Sequence, residues 1–287
     1  MASIRDIKRR KASIESTQQI TKAMKLVSTV KLQRAKTRAE DAKAFFRKMY
    51  ETIQSILSRC GSPDHPAVTD NGSPKKGVLV ITSNRGLAGG YNNNVVRAVA
   101  GLDPVPENSL VYGIGKKGIE GLSHRGFEIV SDESDIINEP LLSDAIEVGK
   151  TLYNAYLEGL IGEIWIAYTN FKNTVVHEPV LLKLLPIEPE TDYRDREGKR
   201  AEGPMNFEPE DIEALDQLIP QYLNSIIYGA FIEAVASENG ARMQAMDAAT
   251  NNAQEMIAAL SLAYNRARQG AITQELTEII SGAEALS

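Results

Sequence analysis

Residues 3–59 contain neither proline nor glycine, and the run ends abruptly at Gly61, Pro63 and Pro66. Such a stretch predicts one long helix. Its apolar positions Leu32, Ala35, Ala39, Ala42, Phe46, Met49, Ile53 and Ile56 alternate between spacings of three and four, which is the seam of a coiled coil. Ile7, Ile14, Ile20, Met24 and Val27 extend the stripe less regularly toward the N-terminus. The other end of the chain reads the same way. Met243, Met246, Thr250, Ala253, Ile257, Leu260, Tyr264, Ala267 and Ala271 keep the heptad rhythm, and Pro220 predicts a kink or restart early in that helix.

Length turns these two helices into an architecture. A chain of 287 residues packed as one globule has a radius of gyration of about 19 Å and a diameter of roughly 50 Å. At 1.5 Å per residue the first helix spans about 85 Å, and the last about 110 Å if nearly continuous. Neither fits inside. A chain that leaves along a rod, builds a globule and returns along the rod pairs its ends as an antiparallel coiled coil. The alanines in the seam allow close approach of the two helices.

Between the helices the texture changes. Segments 77–83, 110–114, 127–130, 163–170 and 179–185 read as strands, with helical patterns at 93–101, 116–123 and 141–157. The first strand, GVLVITS, is almost wholly apolar, as in a strand covered on both faces. Alternating strands and helices predict a mostly parallel sheet. The expected organisation is therefore α/β: a long antiparallel coiled coil from the N- and C-terminal helices (1–60 and 209–287) plus a central Rossmann-like α/β domain (75–208). Residues 188–209 are rich in charge, proline and glycine and read as an exposed loop.

Charge is unevenly spread. The first sixty residues hold 15 Lys and Arg against 5 Asp and Glu, in a chain whose totals are 32 and 38. A basic helix on an acidic protein suits an anionic partner, and a solvated, salt-bridged face is the plain alternative. Cys60 is the single cysteine, so no intrachain disulfide and no Cys-rich zinc site is expected. No run of about 18 apolar residues predicts a membrane span. The opening MASIRDIKRR has no apolar stretch behind it, so no secretory leader is expected.

Two glycine-rich motifs bear on chemistry. Gly113-Ile114-Gly115-Lys116-Lys117-Gly118 is a literal G-x-G-x-x-G after a strand, with Asp132 near the end of the next strand. That is the layout of a dinucleotide site. The helix that follows is short, however, and contains Gly121. The turn Ser83–Asn92 (SNRGLAGGYN) lacks the G-K-[ST] ending of a P-loop, and a tight strand-to-helix turn accounts for its glycines equally well. His65, His124 and His177 are scattered, and no nucleophile–base pair stands out. An NAD-dependent oxidoreductase with a dimerising coiled coil is the alternative reading, and a homodimeric coiled-coil scaffold is a third.

Four segments together resemble one family. IRDIKRRKASIESTQQITKAMK (4–25), SNRGLAGGYNNNV (83–95), SENGARMQAMDAATNNA (237–253) and YNRARQGAITQELTEIISGA (264–283) are similar to the gamma subunits of F-type ATP synthases. The last carries I-T-x-E-x-x-E-x-x-x-G-A at Ile272, Thr273, Glu275, Glu278, Gly282 and Ala283. The resemblance covers the chain end to end. It implies a non-catalytic central-stalk rotor without a cofactor or metal, coupling ion flow through a membrane c-ring to ATP synthesis or hydrolysis at beta-subunit sites. The implied partners are alpha and beta subunits (three of each), the epsilon subunit and the c-ring. Nucleic acid is not among them, and the membrane is met only through the c-ring. The implied location is the cytoplasmic side of the inner (plasma) membrane, as a peripheral subunit. Within the matching motifs, Arg9, Lys22, Met24, Lys25, Arg242, Gln269, Glu275 and Glu278 are the implied contacts with beta subunits and between the shaft helices. Met205, Asn206, Phe207 and Glu208 are the implied contacts of the foot with the c-ring. The turn has Ala88 where family members carry Cys. With Cys60 alone, the redox switch of plant chloroplast members is not expected.

Overall fold

The computed structural model describes residues 4–60, 65–102, 106–188 and 211–284. The chain divides into two compact units, Thr29–Arg242 and Met1–Ser28 with Met243–Ser287. Helices α1 (Ile4–Cys60) and α5 (Asp211–Glu284) contribute to both.

The larger unit is built on a five-stranded sheet of order β3-β2-β1-β4-β5. Its strands are β1 (Lys76–Ile81), β2 (Ser109–Ile114), β3 (Glu128–Asp132), β4 (Glu163–Phe171) and β5 (His177–Leu185). The first four are mutually parallel and β5 returns antiparallel to β4. Side chains alternate across a strand, and the apolar β1 feeds two cores at once. Val78 and Val80 join Val95, Val96 and Val99 of α2 (Tyr91–Leu102) and Leu122 of α3 (Lys116–Ser123). Leu79 and Ile81 face the other way, into a core shared with α4 (Leu142–Leu157), the far end of α1 (Ile53, Ile56, Leu57) and α5 from Leu215 to Ala234. The sheet is thus sandwiched between helices, as its continuous apolar strands require.

The expected break at Pro220 does not occur: α5 runs unbroken from Asp211 to Glu284 with Pro220 inside it. The proline forfeits one backbone bond. Its neighbours Leu215, Ile219 and Leu223 are fully buried in the core, and that burial holds the helix across the defect.

In the smaller unit the two helices pair antiparallel. The hydroxyls of Thr21 and Thr250 lie 2.8 Å apart, and Lys25 Nζ donates to Asp247 Oδ1 at 2.5 Å. A step toward the N-terminus of α1 is therefore matched by a step toward the C-terminus of α5. Met246 and Ala253 are buried, and the other α5 seam residues from Met243 to Ala271 are half-buried, as their spacing predicts.

The α1 stripe is corrected here. Ile20 and Val27 are each 57% exposed. The positions that turn inward are Ile7, Lys11, Ile14, Gln18, Thr21, Met24, Lys25 and Ser28, and the same phase continues within the helix to Leu32, Ala35 and Ala39, all buried. The seam is regular but partly polar, which apolar counting overlooks. Ala42 and Phe46 lie outside the described side chains.

Phe231 is fully buried where α5 meets the sheet. Phe231→Ala is expected to cost the larger unit about 3–5 kcal/mol, read as a lowered denaturant midpoint with an unchanged slope.

Candidate functional site

The G-x-G-x-x-G segment sits where the spacing puts it, at the junction of β2 and α3. A nucleotide-binding turn offers the free amides of the helix N-terminus to phosphate. Here those amides are engaged by the chain itself. Lys116 N donates to Asn84 Oδ1 at 3.1 Å, Lys117 N to Ser83 O at 3.1 Å, and Gly118 N to Thr82 Oγ1 at 2.8 Å. Thr82 Oγ1 in turn donates to Gly115 O at 2.9 Å. The glycines serve this packing. Gly115 has φ +99°, and a Cβ there would collide with the Thr82 carbonyl oxygen. A Cβ on Gly118 would lie 2.6 Å from Thr82 Oγ1. Asp132, the candidate ribose acid, closes its own turn by accepting from the backbone N–H and the hydroxyl of Ser134.

The crevice itself is covered. In an open α/β sheet the ligand lies beyond the carboxyl ends of the strands, where the strand order reverses. That reversal is between β1 and β4, and α5 lies across it. Tyr91, which opens α2 after the turn that follows β1, donates its hydroxyl to Ala234 O at 3.2 Å. Ser237 Oγ donates to Thr169 O, near the end of β4, at 2.9 Å. Arg242 reaches the turn, donating to Arg85 O and Gly86 O at 3.4 Å each and to Glu238 Oε1 at 2.5 Å. Burial, with the nearby Glu238 carboxylate adding and Arg242 opposing, pushes the Tyr91 phenol up. Leu87, at φ +65° and 64% exposed, stands at the tip of this tethered turn.

A cleft of about 350 Å³ opens at the other, amino end of the strands, lined by Asp70, Lys76, Glu163 and Lys183. Lys183 and Glu163 are already engaged, and Asp70 accepts from the Gly72 amide. Lys183 pairs with Glu163 at 3.2 Å and Glu188 at 3.0 Å, and Trp165 Nε1 donates to Glu163 at 2.8 Å. Burial raises the Glu163 carboxyl, and the bonds from Trp165 and Lys183 more than reverse it, leaving it below its ordinary value. Among the described residues no group of His, Cys, Asp and Glu is placed to hold a metal ion.

The residues implied as partner contacts fall into two groups. In the smaller unit, Arg9, Lys22, Gln269, Glu275 and Glu278 are exposed. Arg9 pairs with Asp6 at 3.4 Å, and Glu278 accepts from Gln274 at 3.0 Å. Met24 and Lys25 are half-buried, and Lys25 spends its charge on Asp247. In the larger unit Arg242 has a side chain only 12% exposed, turned to its own chain's carbonyls. Met205, Asn206, Phe207 and Glu208 lie outside the described residues. Sequence reasoning does not single out Thr82, Asn84, Glu238 and Asp247. Asn84 carries the one usable signal, as a polar residue in a glycine-rich turn, and the pairing of the others depends on tertiary register.

Two outcomes are expected. Thr82→Val keeps the volume but leaves the buried Gly118 amide unpaired, costing about 1–3 kcal/mol in denaturant unfolding. Titration calorimetry of the full chain with NAD shows no saturable heat, because the helix amides and the crevice are already occupied.

A model of the family described as ATP synthase matches residues 3–286. The ATP synthase gamma chain of Lachnoclostridium phytofermentans is 56% identical over 293 residues, covering all of both chains. That of Alkaliphilus metalliredigens is 43% identical, covering 99% of this chain and 98% of its own. A chain of the Euglena gracilis mitochondrial ATP synthase, from the OSCP/F1/c-ring structure in rotational state 3, superposes with a TM-score of 0.75 at 16% identity, covering 99% of this chain and 94% of its own. At that identity the likeness is one of fold. With full-length identity of this order to curated gamma chains, the protein belongs to the ATP synthase gamma chain family.

Proposed function

We propose that this chain is the central-stalk rotor subunit of an F-type ATP synthase, turning with the c-ring and forcing the beta-subunit catalytic sites through their binding changes while making no bond itself. Family membership is the observation that carries the reading. The geometry supports it: a two-helix rod element with a closed seam and charged outer faces, and an α/β unit whose nucleotide crevice is covered by its own helix. Its partners are then alpha and beta subunits around the rod, with epsilon and the c-ring at the foot. Arg9, Lys22, Met24, Gln269, Glu275 and Glu278 meet the beta subunits, Lys25 and Arg242 act chiefly within the chain, and Met205–Glu208 face the c-ring. Among the described residues no helix is long and apolar enough to cross a membrane. This suits a subunit held peripherally on the cytoplasmic side of the plasma membrane through the c-ring.

Purification from native membranes through a tag on this chain tests the reading: alpha, beta, epsilon and c subunits should accompany it, and their absence would overturn it. A functional test follows from the seam. Met24 is half-buried beside the Lys25–Asp247 pair. Met24→Lys adds a second cation competing for one carboxylate, and is expected to lower ion pumping per ATP hydrolysed while ATPase activity persists. Lys22→Ala, at an exposed position, removes about 1 kcal/mol or less of interaction and should leave that ratio unchanged. ATPase rate and ion pumping measured on the same membranes check both.

A further inference from the structure

The β4–β5 hairpin meets α5 at a histidine. His177, the first residue of β5, pairs across the hairpin with Phe171, the last of β4. The two rings stand edge to face, centroids 6.0 Å apart and planes at 72°. Over the imidazole lies Gly240 of α5. A Cβ at that position would collide with Nε2 and lie 2.9 Å from Cε1, so only glycine lets the helix backbone settle on the ring. Both ring nitrogens are sealed from solvent, and neither has a hydrogen-bond partner. One turn earlier on α5, the Ser237–Thr169 bond holds the same hairpin to the same helix.

The neutral ring carries one N–H and one lone pair, whereas the protonated ring carries two N–H groups and a full charge. A dry, unpartnered contact tolerates the first at modest cost and rejects the second. The charged groups on the surrounding elements do not offset this. Lys172 and Glu178 on the hairpin pair with each other at 2.6 Å, and Glu238 and Arg242 on α5 do likewise. Glu233, also on α5, bears on the Tyr168 phenol of β4, and Arg97 on α2 is exposed. Burial alone moves the imidazole, and it moves it down from 6.5.

We propose that His177 is an acid-released latch, docking the β4–β5 hairpin on α5 at Gly240 while its ring is neutral and parting them when the ring is protonated. The proposal is independent of the rotor reading, since it concerns only how this sheet grips this helix. In the undocked state the ring regains its ordinary value of 6.5. The latch therefore contributes in full above that pH and loses its contribution as pH falls from there through the depressed value of the docked ring.

Hydrogen exchange of the full-length chain tests it, following the amides of residues 171–180 and correcting for intrinsic rates. Protection in the wild type should fall by up to about tenfold per pH unit below the ordinary imidazole value. In His177→Phe, which keeps an aromatic ring but cannot titrate, protection should not change with pH. The same slope in both proteins overturns the proposal. NMR titration of the wild-type His177 ring protons provides a reading that does not depend on the variant folding. Titration below that of a histidine peptide supports the latch, and titration at or above it overturns it.

Discussion

Burial of α5 residues Leu215–Ala234 against the sheet is the contact on which the rest of the larger unit depends. That segment closes the core that β1, β4, α4 and the far end of α1 leave open on one face. It carries the helix through Pro220, where local propensity would end it. It then delivers Ala234, Ser237 and Arg242 to the carboxyl ends of the strands. A long amphipathic helix thereby takes the place that a cofactor takes in other sheets of this topology, and the glycines of 113–118 serve chain-to-chain packing. The same residue pattern supports two outcomes, and which one is realised is decided by a helix about a hundred residues away in sequence.

The first long helix was legible because a chain without proline or glycine over such a length has little else it can form, and the last by its heptad rhythm, despite Pro220 and four glycines within its length. The strands were legible because GVLVITS and EIWIAYTN are apolar in the way doubly covered strands must be, and each begins within a residue or two of where its pattern starts. The N-terminal seam was legible only in part, since Ile7, Ile14 and Met24 turn inward as read and Ile20 and Val27 do not. Ile20 and Val27 stand out by hydropathy, yet the position that meets α5 is Thr21, whose neighbour across the seam is the equally small Thr250. Hydropathy reports what a side chain prefers, whereas a seam between thin helices selects what fits. The filling of the α3 N-terminus by Thr82 and Asn84 was likewise hidden, because those residues belong to a different strand and its turn. The implied contact residues could be placed only by resemblance; of them Lys25 and Arg242 meet carboxylates of their own chain.

In the smaller unit the division between inward and outward residues leaves a consistent surface. Ile20, Leu26 and Val27 are exposed on α1, and Ile272, Leu276, Ile279 and Ile280 on α5, interspersed with unburied charges. Every described side chain from Ile272 to Ala283 is exposed. That last stretch gains nothing from a partner helix, and a helix of this length is marginal in water on its own. Its stability in free solution is therefore low, and any surrounding surface that accepts its apolar side chains also orders it.

The Thr21–Thr250 pair has a mechanical side. Seams made only of leucine or alanine look alike after a shift of one heptad, so such helices resist sideways separation better than sliding. A one-heptad slide here would bring the Thr21 hydroxyl against Met243 or Ile257, neither able to answer it, and would part Lys25 from Asp247 in the same movement. Each hydroxyl would be left with only the carbonyl of its own helix, Gln18 O for Thr21 and Met246 O for Thr250, so the slide forfeits the bond that joins the two helices, about 1 kcal/mol. The two contacts act as a shear key, fixing the axial position of one helix on the other while leaving the outer faces free to change neighbours.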